Sequence, residues 1–219
     1  STLFENISIY PRTAAIRDWD KVTFTYKESR ILARNTMCAI FCAWFVLCAT
    51  VGDAPTLQQI LLGYFGCDLF IMSYQPMFHS FALCLHHIVA CGLVFYNMHT
   101  TPRTDYYIYH LGGFGELSTF FLCFVDSFKY IPRLRTLYPM VNYYTRILFG
   151  TSFLVLRLGW WTYIIFHFED DNSYVHGMLY SLVVLNVVWA KKIAEIGRNE
   201  PSQRTDHAPR QSAPLAPFF

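Results

Sequence analysis

Charge is scarce in this sequence. Asp, Glu, Lys and Arg make up 15% of its 219 residues, whereas a soluble domain carries about 25%. With 54% hydrophobic and 18% aromatic residues, that shortage argues against a water-soluble globular enzyme. Paired ligand spacings are also missing. The seven cysteines (Cys38, Cys42, Cys48, Cys67, Cys84, Cys91 and Cys123) all lie in apolar runs and form no CxxC or Cys/His pattern. Buried thiols of this kind behave as small hydrophobes. No disulfide, metal site or cofactor is expected. The first 34 residues contain no short apolar core with a small-residue cleavage site, so they are not read as a signal peptide. A targeting sequence further upstream stays open. The basic residues are spread too thinly for nucleic acid. The glycines of HLGGFGE (Gly112, Gly113, Gly115) follow no strand, which excludes a dinucleotide-binding loop. They are read as sites of close helix packing or a kink.

What the chain has in quantity is long apolar runs. Six stand out, over 35–51, 60–74, 78–98, 106–128, 143–168 and 175–190. A membrane-crossing helix needs about 20 residues, and several of these runs meet or approach that length. The expected fold is all-α, a multi-pass transmembrane helical bundle of about six spans. Residues 1–34 form a polar, amphipathic lead-in and 35–190 the membrane domain. Residues 191–219 form a basic, Pro/Gln/Ser-rich tail that reads as loop or disorder. Gly63, Gly66 and Cys67 are small enough to let helices approach closely. The prolines at 132 and 139 mark 131–142 as a loop.

The placement of Lys and Arg tests the number of spans. Six lie before the first run, three between the fourth and fifth, and five after the last. The turns on the other side hold Arg103 alone, and only Arg146 and Arg157 lie within runs. Such a bias is the positive-inside pattern. It puts both termini on the same, positive side, which five spans would not do.

Depth counting then gathers a set of expensive residues. His86 and His87 fall near the middle of the third run, Glu116 in the fourth and Arg157 in the fifth, with Asp68 nearer the positive side of the second. Ionisable side chains at such depth are tolerated when they pair or face a cavity. The functional reading is a lipid-facing cavity in which His86 or His87 acts as general base or orients a head group. Glu116 would set the imidazole tautomer and Arg157 would hold an anionic group. The alternative is a polar knot that fixes helix register and does no chemistry. Adjacent residues point about 100° apart on a helix, so the two histidines cannot serve one point equally. His79, His99, His110 and His167 read as interfacial. Asp126, Lys129 and Arg146 read as an interface charge group that snorkels.

The segments LGYFGCDLF, LHHIVACGLVFY and GELSTFFL, in that order, resemble the TLC lipid-sensing domain. Ceramide synthases, translocation-associated membrane proteins and small proteins of lipid homeostasis share this domain. The matching residues are Gly63, Tyr64 and Asp68; His86 and His87; and Glu116, Leu117, Ser118 and Thr119. The resemblance covers about residues 35 to 190. It implies lipid-binding candidates Asp68, His86, His87, Glu116, Ser118 and Arg157. His86, His87 and Glu116 are the candidates for catalysis. Ceramide synthases carry two aspartates before the Glu segment. Here that stretch is Tyr109-His110-Leu111-Gly112-Gly113-Phe114-Gly115-Glu116, and both are absent. The expectation is therefore a non-catalytic lipid-binding or lipid-sensing protein, with a ceramide-synthase-like acyltransferase as the alternative. Expected partners are membrane lipids and other membrane-protein subunits contacting 1–34 and 191–219. The resemblance implies the endoplasmic reticulum, with the mitochondrial inner membrane as the alternative.

Overall fold

The structure is a computed structural model that describes residues 24–75, 80–99, 105–168 and 172–199. Seven helices appear among them. They are α1 (Tyr26–Val51), α2 (Ala54–Tyr74), α3 (Phe81–His99), the composite α4, the short α5 (Pro132–Leu137), the composite α6, and α7 (Ser173–Asn199). In α4, Asp105–Ile108 is α-helical, Tyr109–Gly113 π-helical, Phe114–Glu116 3-10 and Leu117–Tyr130 α-helical again. In α6, Pro139–Ser152 is α-helical, Phe153–Trp160 π-helical and Trp161–Phe166 α-helical.

Local chemistry explains the boundaries. The α1 start is a capping box: Thr25 Oγ1 accepts from Glu28 N while Glu28 Oε2 accepts from Thr25 N. The helix therefore begins well before residue 35 and carries Arg34 inside it. It ends at Gly52, whose φ of 73° is the left-handed cap that glycine favours. Asp53 then caps α2, accepting from Thr56 N at 3.1 Å, with Pro55 in the first turn. Residues 54–59 are thus helix rather than turn. The 131–142 segment is also not a simple loop. Pro132 opens α5 and Pro139 opens α6, because a first-turn residue needs no N–H and the ring presets φ. At the far end α7 runs beyond Lys191 and Lys192 to Asn199, into the expected tail. Residues 1–23 and 200–219, and with them most of the lead-in and tail, lie outside the described residues, as does His79.

Side-chain contacts fix the direction of each rod. Arg34 near the start of α1 meets Asp68 near the end of α2. Asn35 Nδ2 donates to Ser127 Oγ near the end of α4, at 3.0 Å. Tyr109, near the start of α4, donates to Gly52 O at the end of α1. His86, early in α3, packs on Trp189, late in α7. Tyr107 donates to His167 O beyond the end of α6. The six long rods therefore alternate in direction, and the start of α1 and the end of α7 share one end. Lys27, Arg30, Lys129, Arg133, Arg135, Lys191 and Lys192 stand at that end, hereafter the basic end.

Five rod segments are long and apolar enough to cross a membrane: Tyr26–Val51, Phe81–His99, Tyr109–Tyr130, Pro139–Phe166 and Ser173–Glu195. α2 has comparable length at 21 residues, but Gln58, Gln59 and Asp68 dilute its apolar content. Its place between α1 and α3 completes the alternation. The outer surface is apolar, as lipid requires. On α1, Met37, Ile40, Trp44, Leu47 and Val51 form an exposed stripe. The opposite stripe, Cys42, Phe45, Cys48 and Ala49, packs on Leu57, Leu61 and Phe65 of α2. In hydrocarbon there is no hydrophobic gain from helix association, so close packing and hydrogen bonds hold the rods together.

The glycines divide by role. A Cβ on Gly113 would overlap Ala49, and one on Gly115 would overlap the Trp161 ring. These two let α4 touch α1 and α6. Gly63 and Gly66, expected to serve close packing, have open space where a Cβ would sit, and Cys67 is exposed. They face outward from α2.

Candidate functional site

All six long rods contribute to one cavity of about 410 Å³. It begins near Lys27 and Tyr130 at the basic end and reaches His86 and Glu116 midway through the bundle. Asp68, His86, His87, Glu116, Ser118 and Arg157 all line it, so the residues singled out from the sequence meet at one place. All six are buried.

They do not form a single knot. Asp68 is held by Arg34 in a two-pronged pair, Nε to Oδ1 at 3.0 Å and Nη2 to Oδ2 at 2.7 Å. Such forks combine charge with geometric fit. His87 Nε2 lies 3.7 Å from the same Asp68 Oδ2. The second group centres on Arg157, whose Nη2 donates to Glu116 Oε1 and Thr119 Oγ1, both at 2.7 Å. Its Nε donates to Ser118 Oγ at 2.9 Å and to Gly115 O at 3.3 Å. The guanidinium carbon also sits 5.0 Å from the Trp161 ring centroid, within cation–π range.

The local helix geometry produces this second group. Glycines at 112, 113 and 115 let α4 change from π to 3-10 winding just before Glu116. The π segment of α6 carries Arg157, and Asn186 Nδ2 of α7 donates to the Arg157 carbonyl at 3.4 Å. Widened turns leave backbone carbonyls in need of donors, and π segments recur at functional sites for such reasons. The two irregular stretches stand side by side across the Glu116–Arg157 pair.

The histidines occupy the remaining wall. His86 packs against Phe65, Trp189 and His87, with ring centroids 6.0, 5.3 and 5.5 Å away. The Nδ1 atoms of both histidines are buried without a hydrogen-bond partner. The expected contact from Glu116 to an imidazole is absent among the described hydrogen bonds; Glu116 is engaged by Arg157 instead. Arg157 in turn spends two nitrogens on protein acceptors. His110 accepts from Trp160 Nε1 at 3.1 Å, while His99 and His167 bond carbonyls of their own helices.

Two wall residues are not anticipated from the sequence, and a third, Tyr64, appears in it only as part of a motif. Arg34 is counted there with the polar lead-in, although the Thr25-x-x-Glu28 signal would have placed it on α1. The sequence places Asp126 at the interface, yet it lines the cavity and its Oδ1 is buried without a partner. Tyr64 meets Cys38, with 2.8 Å between Oη and Sγ.

A second, smaller cavity of about 60 Å³ lies beyond the first. Phe65, His86 and Glu116 border both. Its other walls, including Ala90, Leu93, Leu179 and Leu182, are mainly apolar.

No curated protein and no solved structure matched the chain at a significant level. A family model described as the TLC domain does match, over residues 37–195. That range takes in all or most of every long rod and every site residue above except Lys27 and Arg34, and the chain therefore belongs to the TLC domain family as a lipid-related integral membrane protein.

Proposed function

We propose that this protein binds or senses a lipid in the six-rod cavity without turning it over. One observation carries the reading: a cavity of about 410 Å³ runs from the basic end to buried polar side chains halfway through an otherwise apolar bundle. Its size falls in the range of small-molecule sites, about 300–1,000 Å³. At roughly 30 Å³ per chain carbon, close to a water's share of liquid volume, it holds one acyl chain of about a dozen carbons. A non-catalytic role is supported by the engagement of Glu116 with Arg157, which denies His86 an orienting carboxylate, and by the Arg34 fork that already holds Asp68 beside His87. The missing aspartates of the 109–116 stretch agree with it. The lipid comes from the membrane itself, and the endoplasmic reticulum is the proposed compartment, with the mitochondrial inner membrane as the alternative. A role as accessory subunit of a larger membrane complex is part of the same proposal, supported by the polar composition of both ends of the chain. Native mass spectrometry of protein extracted with its lipids tests the binding. A co-purifying lipid lost on His86→Phe is the expected result, and bare protein in every preparation would overturn it.

A second reading is favoured by the 3.7 Å approach of His87 Nε2 to Asp68. There Asp68 orients His87, and His87 deprotonates an amine or hydroxyl for acyl transfer. Acyl-CoA turnover by wild type that vanishes in His87→Ala would establish it over the first.

A further inference from the structure

The three acids on the large cavity are not equivalent. Asp68 has Arg34 and Glu116 has Arg157. Asp126 lines the same wall nearer the basic end, and its Oδ1 is covered from solvent with no donor. A buried acceptor left so bears the full cost of desolvation. The space in front of it belongs to the cavity, so a ligand can supply the missing donor. The charge of that donor is constrained. Lys27 and Arg34 line the same cavity, and Lys129 lies about one turn further along α4. An ammonium head group would meet these cations, and a carboxylate or phosphate would meet Asp126. An uncharged O–H meets neither penalty. Behind it the large cavity has room for one short chain, ending at Phe65 and His86, which border the apolar second cavity.

We propose that Asp126 is the head-group acceptor for an uncharged, hydroxyl-bearing, single-chain lipid, of which a monoacylglycerol is the simplest form. The proposal rests on the lipid-binding reading and names the class of lipid. It is tested with the full chain in phosphatidylcholine nanodiscs, titrated with monolaurin, laurate and dodecylamine, whose twelve-carbon chains match the cavity. Asp126→Leu removes the acceptor and leaves an apolar group of similar size. The expected result is tightest wild-type binding of monolaurin, weakened about tenfold or more by Asp126→Leu, with laurate bound more tightly by the variant because its carboxylate no longer meets Asp126. The lipid-free variant should melt no lower than wild type, because an acid with a buried, unpaired oxygen has been removed. Asp126→Asn, which keeps an oxygen acceptor, should hold monolaurin better than Asp126→Leu. Equal monolaurin binding by wild type and Asp126→Leu, as a water donor at Asp126 would give, overturns the assignment. So does tighter binding of dodecylamine by the wild type. Uptake of none of the three lipids by wild type overturns the lipid-binding reading as well, whereas laurate and monolaurin bound alike by both proteins sinks the head-group assignment alone.

Discussion

Four hydrogen bonds hold the Arg157 guanidinium, to Glu116, Thr119, Ser118 and Gly115. Removing one partner of such a buried pair strands the other charge, at a cost of about 3–5 kcal/mol, while replacing both by apolar groups is often neutral. Arg157→Met should therefore lower the melting temperature sharply in detergent, and Arg157→Met/Glu116→Leu should recover much of the loss. If the double variant melts as low as Arg157→Met, the pair is not acting as a unit. The Arg34 side chain is 22% exposed against 4% for Arg157, so solvent can relieve its loss. Arg34→Met should cost clearly less than Arg157→Met in the same melt. Depth counting brings Glu116 and Arg157 to one level of the bundle, but it assigns Glu116 to an imidazole and Arg157 to an anionic group rather than to each other. It missed Arg34 as the partner of Asp68, because the polar residues around Arg34 hide a helix start. It also missed that Asp126 faces inward, since which side of a span faces the bundle depends on neighbours that single-chain periodicity does not contain.

At the scale of elements, α4 is shaped by its glycines and α2 is not. Gly115→Ala drives a methyl group into the Trp161 ring, and Gly113→Ala drives one into Ala49. Overpacking of this kind costs about 1–3 kcal/mol. Gly66→Ala meets open space and should stay within about 0.5 kcal/mol of wild type. Thermal melts of the three variants check the contrast, and a Gly66→Ala loss as large as that of Gly115→Ala would mean that another surface packs on α2. The HLGGFGE stretch was legible as a packing or kink site. The identical reasoning failed for Gly63 and Gly66, because small residues permit close approach without requiring it. Treating proline only as a breaker misplaces two helix starts. At Pro132 and Pro139 it opens a helix, and only the presence of a following turn distinguishes the two uses.

For the whole molecule, the alternation of six rods predicts a simple labelling pattern. A cysteine-reactive probe of the basic end should reach single cysteines introduced at Lys27 and Lys191. A cysteine at Asp53 should be reached only from the opposite side of the membrane. Labelling of all three from one side would break the alternation. The uneven distribution of Lys and Arg carried this topology in the sequence, because it records a property summed over the entire chain. The cavity did not show there, since its volume arises only when all six rods are assembled.

That cavity has one further consequence. It is open toward the basic end and stops at Phe65, His86 and Glu116, beyond which the small chamber is walled mainly by aliphatic and aromatic side chains. The bundle is thus a cup rather than a pore. It brings ionisable groups to the middle of the bundle, and beneath them lies a mainly apolar floor. A ligand taken up from the basic end meets a floor rather than an exit, which suits a fold that holds its cargo from one side.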